Sequence, residues 1–243
     1  MIKVIPKLWV FTTACYMVDK RKHIPPTINF ANLDNVVDSA YIADYDQEVI
    51  FAFQGTKNNR AWISDFDILP LRGDLMPKSG SWGRGTIADG FYEGWEDFKD
   101  PISNYIKENC KGKKIYCTGH SRGGALATLC ARHIAKNLKL PCSCVSFASP
   151  AQGTKVYRDE LDLLPLNHTR VTYGYDIVPK MPPKELGFYH GGKEIYLPNP
   201  NWIDKFRPSR RFEDHHPKNY QKAILKYFKD DALSCEFINQ YSF

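Results

Sequence analysis

The sequence predicts an α/β fold in which a largely parallel central sheet is flanked by helices. Three observations predict it: short apolar runs typical of buried strands, intervening runs with helical spacing, and a glycine-rich turn where one strand run meets a helical run. Of the 243 residues, 43% are hydrophobic and 14% aromatic, which is enough for a sizeable core. We therefore expect a single domain that extends over residues 1–243.

The first half of the chain predicts two helices and a β-hairpin. In order, they are expected at Leu8–Val18 (helix), Ser39–Asp44 and Gln47–Gln54 (the hairpin) and Gly90–Cys110 (helix). The region before Ser39 is expected to be a loop with a short helical piece. Asp67–Asp89, rich in glycine and containing two prolines, is expected to be mostly irregular. We expect the helix that follows it, which contains Pro101, to pack beside the strand at Lys114–Thr118.

The second half alternates strands with helices. Strands are expected at Lys114–Thr118, Cys142–Ala148, Thr169–Tyr175 and, at an edge, Lys193–Leu197; helices are expected from Gly124 to about Leu138 and from about Pro217 to Lys229. Strands that alternate with helices in this way are typical of a parallel sheet, because each parallel connection needs a crossover.

The turn between the strand at Lys114–Thr118 and the next helix carries a chemical motif. Gly119-His120-Ser121-Arg122-Gly123 reads G-x-S-x-G, and its strand-turn-helix context is that of the nucleophile elbow of α/β-hydrolases. Glycines at both ends remove the Cβ atoms that would collide across so tight a turn. The first N–H groups of the helix have no intrahelical acceptor, so they can bind a negatively charged oxygen. The motif predicts Ser121 as a nucleophile.

A serine hydroxyl needs a base to remove its proton, and that base needs an acid to hold its tautomer. In α/β-hydrolases the acid and then the histidine follow the serine along the chain. Asp176 comes directly after the strand at Thr169–Tyr175, and His215 and His216 stand just before the last helix. Both histidines are in the right order, so the residues leave the choice between them open. Weaker candidates in the same order are Asp159, Asp162 and His190.

Charge and cysteine content exclude several other classes. The net charge of +6 is spread along the chain, which favours a solvated basic surface with at most a mild attraction to anionic membranes, and not nucleic-acid binding. No cluster has the spacing of a metal site, and we expect neither metal nor cofactor. Seven cysteines do not form a complete disulfide framework, so we expect reduced thiols. Leu8–Val18 is a poor signal-peptide core, and together with the odd cysteine count it favours a cytoplasmic protein over a secreted one, which stays open.

Four blocks in order carry a family resemblance over nearly the whole chain. They are Phe53-Gln54-Gly55-Thr56 with Trp62-Ile63-Ser64-Asp65, Gly119-His120-Ser121-Arg122-Gly123-Gly124, Tyr173-Gly174-Tyr175-Asp176-Ile177-Val178-Pro179, and Asp214-His215 with Tyr220. Together they resemble the class-three lipases, the α/β-hydrolase family typified by fungal triacylglycerol lipases.

The resemblance implies that Ser121 attacks an ester carbonyl, that His215 relays its proton and that Asp176 orients His215. It also implies an oxyanion hole made by the backbone N–H groups of Arg122 and Thr56, with the Thr56 hydroxyl helping to position the oxygen.

The resemblance favours His215 over His216 as the base, because many family members place this histidine after an aspartate and five residues before a tyrosine, here Tyr220. Other members use a shorter spacing, so His216 stays possible. The resemblance also implies a lid, and Phe66–Gly90 mixes apolar with charged residues there. Arg122 stands where leucine is frequent; its side chain is expected either to pair with a nearby acid or to face an anionic head group.

We therefore expect a serine hydrolase that cleaves carboxylic esters of lipids, with acylglycerols as leading substrates and possible peripheral contact with a membrane or lipid aggregate. A phospholipase A1-type enzyme and a short-chain esterase are the alternatives within this class. A non-catalytic interaction module with a hydrolase-like fold is the alternative from another class.

Overall fold

The computed structural model describes residues 4–34, 38–56, 87–207, 209–229, 236 and 238–240. The strands within these ranges are β1 (Asn29–Asn32), β2 (Ala40–Asp44), β3 (Glu48–Phe53), β4 (Lys114–His120), β5 (Cys142–Phe147), β6 (Gly153–Thr154), β7 (Leu166–Tyr173), β8 (Phe188–Tyr189) and β9 (Lys193–Leu197). The α-helices are α1 (Ile5–Ala14), α2 (Asp89–Asn109), α3 (Arg122–Lys136), α4 (Lys155–Leu163), α5 (Arg210–Glu213) and α6 (Pro217–Tyr227).

One sheet has the order β1-β2-β3-β4-β5-β7-β9, and β6 pairs with β8 separately. β2 pairs antiparallel with both β1 and β3, and the pairs from β3 to β9 are all parallel. The prediction of a largely parallel sheet flanked by helices is therefore confirmed. β2 and β3 form the expected hairpin.

Alternate side chains of each central strand enter two different hydrophobic cores. In β3, Ile50 packs in the core that contains Trp9 of α1 and Tyr220 of α6. Its neighbour Phe51 packs on the other side, with Trp95 of α2 and with residues of α3 and α4. Because successive strand residues point to opposite faces, a sheet covered by helices on both sides needs such continuous apolar runs.

The parallel strands bring the expected polar residues to one edge of the sheet. β3, β4, β5 and β7 end at Phe53, His120, Phe147 and Tyr173. Since parallel strands point the same way, the segments that follow these residues meet at the carboxyl edge of the sheet, where ligands bind in open α/β folds. Ser121 and Asp176 lie in two of these segments.

Several elements differ from the prediction. α1 begins before Leu8, because Pro6 lies in its first turn, where the missing N–H is not needed. It ends at Ala14 and not at Val18. β1 is an edge strand that was not predicted, because its first and last residues are polar asparagines. The helix after the glycine-rich segment was predicted to pack beside β4; α2 shares a hydrophobic core with Ile115 and Cys117 of β4, and it also packs on α3 and on Phe53 of β3. α2 also continues through Pro101.

The predicted lid lies almost entirely outside the described residues. Of Phe66–Gly90, only 87–90 are described: Ile87 makes a bridge to Gly153, and α2 begins at Asp89. The block Trp62-Ile63-Ser64-Asp65 also lies outside them.

Candidate active site

Ser121 occupies a strained turn between β4 and α3. Its φ of 59° and ψ of −128° lie where residues with a Cβ are rarely found. The turn closes only because its flanking glycines lack side chains: a Cβ on Gly119 would lie 2.2 Å from the Gly123 carbonyl oxygen, and one on Gly123 would lie 2.3 Å from the Phe53 carbonyl oxygen. The Ser121 N–H donates to the Phe147 carbonyl at 2.9 Å, which ties the turn to β5.

The structure brings Ser121, His215 and Asp176 into one hydrogen-bonded line. Ser121 Oγ lies 2.8 Å from His215 Nε2, and His215 Nδ1 lies 3.0 Å from Asp176 Oδ2 and 3.1 Å from Oδ1. All three side chains are buried. With the Nδ1 proton donated to the carboxylate, Nε2 is the nitrogen that can accept the serine proton.

Asp176 is held by two further donors. The Tyr220 hydroxyl of α6 donates to Oδ2 at 2.7 Å, and the Val178 N–H donates to Oδ1 at 3.0 Å. The hydroxyl in turn accepts from the Tyr173 N–H at 3.1 Å. Burial, and then the charge of Asp176, raises the pKa of Tyr220 well above 10, so it stays a donor. Sequence reasoning used Tyr220 only as a spacing marker and missed this contact.

His120, the residue before the proposed nucleophile, contacts the backbone of His215. Its Nε2 lies 3.0 Å from the His215 carbonyl oxygen, and its Nδ1 lies 3.0 Å from the Tyr16 hydroxyl. Burial, and then the neighbouring His215, lowers the pKa of His120 well below 6.5, so the ring is neutral. A neutral ring that donates from Nε2 to the carbonyl accepts the Tyr16 proton at Nδ1. Tyr16 lies more than a hundred positions earlier in the chain, and the sequence did not indicate its role.

Two donors lie next in the chain to Ser121 or to Gly55, where a Cβ would be 3.2 Å from Ser121 Cβ. The Arg122 N–H is at the first position of α3, where a helix offers no intrahelical acceptor. The Thr56 hydroxyl is buried, and Oγ1 has no hydrogen-bond partner among the described residues. A buried hydroxyl without a partner is unfavourable unless a ligand or water supplies one.

The Arg122 side chain pairs with an acid, which was one of the two expected outcomes. Its Nε and Nη2 donate to the two Asp38 oxygens at 2.8 and 2.9 Å, and Nη1 donates to the Gly90 carbonyl at 2.9 Å. Gly94 of α2 leaves the necessary room, since a Cβ there would lie 2.4 Å from Arg122 Nη2.

His216 points away from Ser121. Its side chain is exposed, and Nδ1 accepts the Lys218 N–H at 3.2 Å, which caps α6. The weaker candidates Asp159 and His190 have partners outside the line formed by Ser121, His215 and Asp176. Asp159 pairs with Lys155, and His190 contacts the Pro179 carbonyl.

A second serine and histidine lie close together inside the sheet. Ser146 Oγ is 3.2 Å from His168 Nε2, and both are buried. Burial, and then Arg170, lowers the pKa of His168 to about 3, and its Nδ1 has no hydrogen-bond partner among the described residues. Without a carboxylate on Nδ1 or a strained turn at the serine, this pair lacks the features of a nucleophile and its base.

The described residues contain neither a cluster suited to a metal nor a helix suited to span a membrane. No group of three or more His, Cys, Asp or Glu side chains has the arrangement of a metal site there. Within the same ranges, no helix combines the length and the apolar character needed to cross a bilayer.

Residues 50–186 match the model of a protein family described as "Lipase (class 3)". The matched range includes Thr56, Ser121 and Asp176, and it ends before His215.

Two relatives and one solved structure illustrate the similarity. "Secreted mono- and diacylglycerol lipase 1" of Fusarium solani is 29% identical over 163 residues, which are 65% of this chain and 47% of the relative. "Phospholipase A1-II 4" of Oryza sativa subsp. japonica is 30% identical over 177 residues, which are 61% of this chain and 43% of the relative. The crystal structure of lipase from Rhizopus microsporus var. chinensis superposes with a TM-score of 0.66 at 21% identity, over 82% of this chain and 75% of that chain.

The chain spans about half the length of these two relatives. The structural likeness shows that the chain has the α/β-hydrolase fold, as predicted.

The expectation of a cytoplasmic protein is wrong, because the Fusarium solani relative is named as a secreted lipase. The cysteines did not bear on the compartment: the six in the described residues are free and buried. Buried thiols are shielded from oxidants, so they fit an oxidising compartment as well as a reducing one.

Proposed function

Because the chain belongs to the class 3 lipase family, we propose that it is a serine hydrolase that cleaves carboxylic esters of lipids. The observation that carries the proposal is the hydrogen-bonded line from Ser121 Oγ through His215 to Asp176, with separations of 2.8 and 3.0 Å. Such a line is the arrangement that activates a serine for acyl transfer.

In the first half of the proposed reaction, Ser121 Oγ attacks the ester carbonyl carbon while His215 Nε2 takes the hydroxyl proton. Asp176 holds the imidazole in its tautomer and stabilises the positive charge that forms on it. The carbonyl oxygen becomes negative and is stabilised by the Arg122 and Thr56 N–H groups, together with the Thr56 hydroxyl. The unpartnered Thr56 Oγ1 supports this role, since the oxyanion would supply the missing partner.

In the second half, the tetrahedral species collapses and the bond to the alcohol oxygen breaks. His215 protonates the departing alcohol, which leaves an ester between Ser121 and the acyl group. Water then attacks the acyl carbon while His215 takes one of its protons. The second tetrahedral species releases the carboxylic acid, and the proton returns to Ser121 Oγ.

Acylglycerols are the proposed substrates, since the Fusarium solani relative is named a mono- and diacylglycerol lipase. A-type phospholipid hydrolysis is the second candidate, favoured by the Oryza sativa relative named as a phospholipase A1. The Arg122 side chain does not support it, because its three hydrogen bonds go to Asp38 and to a backbone carbonyl.

We also propose that residues 1–243 form one domain and that the protein acts outside the cell.

A fluorophosphonate probe tests the nucleophile. We expect the wild-type protein to be labelled and the Ser121→Ala protein to be unlabelled. Ser146→Ala is the matched control, since Ser146 also contacts a histidine, and it should keep its label. Folded wild-type protein that stays unlabelled would overturn the proposal and favour a non-catalytic module.

A substrate panel then identifies the ester class. Monoacylglycerol, diacylglycerol, triacylglycerol, phosphatidylcholine and a soluble butyrate ester are compared at equal enzyme concentration. Faster turnover of the acylglycerols supports the lipase proposal. Faster turnover of phosphatidylcholine, with release of the sn-1 acyl chain, replaces it with a phospholipase A1.

A further inference from the structure

The segment that leads into His215 exposes several large apolar side chains. Trp202 and Phe206 are each 70% exposed, Ile203 is 55% exposed and Phe212 is 40% exposed. Trp202 and Phe206 lie on one short helical turn, with ring centroids 6.3 Å apart in an edge-on arrangement. We call Trp202, Ile203 and Phe206, which lie on this turn, the apolar ridge. Clustered apolar groups of this size on a surface indicate an interaction site, whereas scattered ones do not.

In the turn that carries the ridge, a charged side chain is buried and the apolar side chains are exposed. Asp204, between the exposed Ile203 and Phe206, is only 4% exposed and points inward. Its carboxylate pairs with Arg210 Nε at 3.1 Å and accepts from Asn199 Nδ2 at 3.2 Å. A segment with buried polar and exposed apolar side chains is the reverse of the usual water-facing surface.

The same polar network joins the ridge to the residues next to the triad. Arg210 Nε is also 2.9 Å from Asp214 Oδ1, and Asp214 Oδ2 accepts the Tyr175 N–H at 2.8 Å. Asp214 precedes His215 and Tyr175 precedes Asp176 in the chain. The Ile177 N–H also donates to the Arg211 carbonyl at 3.2 Å. The ridge is therefore anchored on the loops that present the acid and the base.

The charge of this segment complements an anionic partner. Between residues 201 and 213, Lys205, Arg207, Arg210 and Arg211 outnumber Asp204 and Glu213. Asp204 is buried against Arg210 and also lies 3.6 Å from Arg207 Nη1. The side chains of Arg207 and Arg211 are exposed, and each follows or precedes an exposed phenylalanine in the chain. Exposed aromatic residues with neighbouring arginines are typical of segments that lie in the interface of a bilayer.

We propose that the apolar ridge docks the protein on an anionic lipid surface, with Trp202 and Phe206 entering the interface and Arg207 and Arg211 contacting lipid phosphates. This inference rests on the proposed function, because it places the catalytic edge of the sheet against an aggregate that holds the ester. It assigns the docking to the apolar ridge together with Arg207 and Arg211.

Vesicle sedimentation with the Ser121→Ala protein tests the proposal without hydrolysis of the lipid. Large vesicles of phosphatidylcholine with 0 or about 30 mole per cent phosphatidylglycerol are used at low and high salt. We expect binding to the anionic vesicles that weakens as salt rises. Adding Trp202→Ser and Phe206→Ser should lower the partition coefficient about tenfold or more, because both side chains lose their apolar contact with lipid.

The matched control adds Val156→Ser and Leu163→Ser instead, since these side chains are 51% and 87% exposed on α4. It should bind as the parent does. Thermal unfolding checks that each variant is folded, so a loss of binding can be assigned to the surface. Arg207→Gln with Arg211→Gln should weaken binding to anionic vesicles and leave the weaker binding to neutral vesicles unchanged.

Two results would overturn the proposal: equal binding by the ridge and control variants, or no vesicle binding together with a concentration-dependent dimer that the ridge variant loses. The second result would assign the ridge to a second copy of the chain. Neither result bears on the nucleophile, which is tested separately by fluorophosphonate labelling of the wild-type protein. Conversely, an unlabelled protein that binds vesicles through the ridge would keep the docking surface and remove the hydrolase.

Discussion

Arg122, on the first turn of α3, and Asp38, two residues before β2, form an ion pair through two parallel hydrogen bonds of 2.8 and 2.9 Å. The side chains are only 14% and 5% exposed. The pair joins the residue after the nucleophile to the start of the hairpin, and the third Arg122 hydrogen bond, to Gly90, joins it to α2. The elbow is thus held from two directions.

Replacing Arg122 with leucine should lower the free energy of unfolding by roughly 3 kcal/mol, because the Asp38 carboxylate stays buried without its guanidinium. Urea unfolding measures the loss. The double variant Arg122→Leu/Asp38→Leu removes both charges and should recover part of the stability. Equal stability of the single and double variants would contradict the expectation that the buried, unpaired carboxylate causes the loss.

Replacing His215 with alanine should lower kcat by roughly a million-fold, to the level of Ser121→Ala, if the two residues act as a unit. His216→Ala is the matched control, because His216 is the adjacent residue and its ring caps α6. It should keep most of its activity on a soluble butyrate ester. A deeper loss in His216→Ala than in His215→Ala would reverse the proposed assignment of the base.

Tyr220→Phe removes the hydroxyl that donates to Asp176 and accepts from the Tyr173 N–H. A buried N–H without an acceptor costs about 1 to 3 kcal/mol, so the midpoint of urea unfolding should fall. We also expect kcat to fall about tenfold, because the carboxylate that orients His215 loses a donor. Tyr227→Phe, at the exposed end of the same helix, should change neither quantity.

Stability should fall as the pH is lowered from about 6.5 to 5. Burial holds the pKa of His168 at about 3, whereas an unfolded histidine titrates near 6.5. Between these values the unfolded state binds more protons than the folded state, so protonation favours unfolding. His168 alone should contribute a loss of roughly 2 kcal/mol at pH 5 relative to pH 7.5. The buried His120, whose pKa is also lowered, adds to the loss.

Urea unfolding at several pH values measures this slope, and His168→Gln should flatten it. His23→Gln, which changes a partly exposed histidine, is the control and should leave the slope as it is. A slope that His168→Gln does not alter would contradict the assignment.

Local patterns predicted the parts of the site that depend on neighbouring residues. The elbow needs two glycines and a strand-to-helix change within a few residues, so Ser121 could be identified from that stretch alone. Asp176 was found in the same way, because it follows a strongly β-prone run directly. The family resemblance supplied Thr56 and the preference for His215.

Contacts between distant segments were not predictable in this way. Tyr16 lies in the turn after α1, and His120 lies at the end of β4. Only the packing of these two elements brings the Tyr16 hydroxyl to the His120 ring. Arg122 had two plausible partners in the sequence, and the fold selected Asp38. Large apolar residues such as Trp202 and Phe206 are normally buried. The structure shows that they are exposed and that Asp204 between them points inward.

The sequence by itself determined the fold class and the position of the reactive serine, because both follow from hydrophobic periodicity and backbone sterics over short stretches. Local patterns left open which of two adjacent histidines faces that serine, and the tertiary structure decided it. His216 is the residue that caps α6 and its backbone is extended, with ψ of 133°, so successive side chains point in different directions there, and the capping contact at His216 and the packing of α6 set those directions. Such a choice depends on contacts between segments far apart in the chain, which no local pattern records.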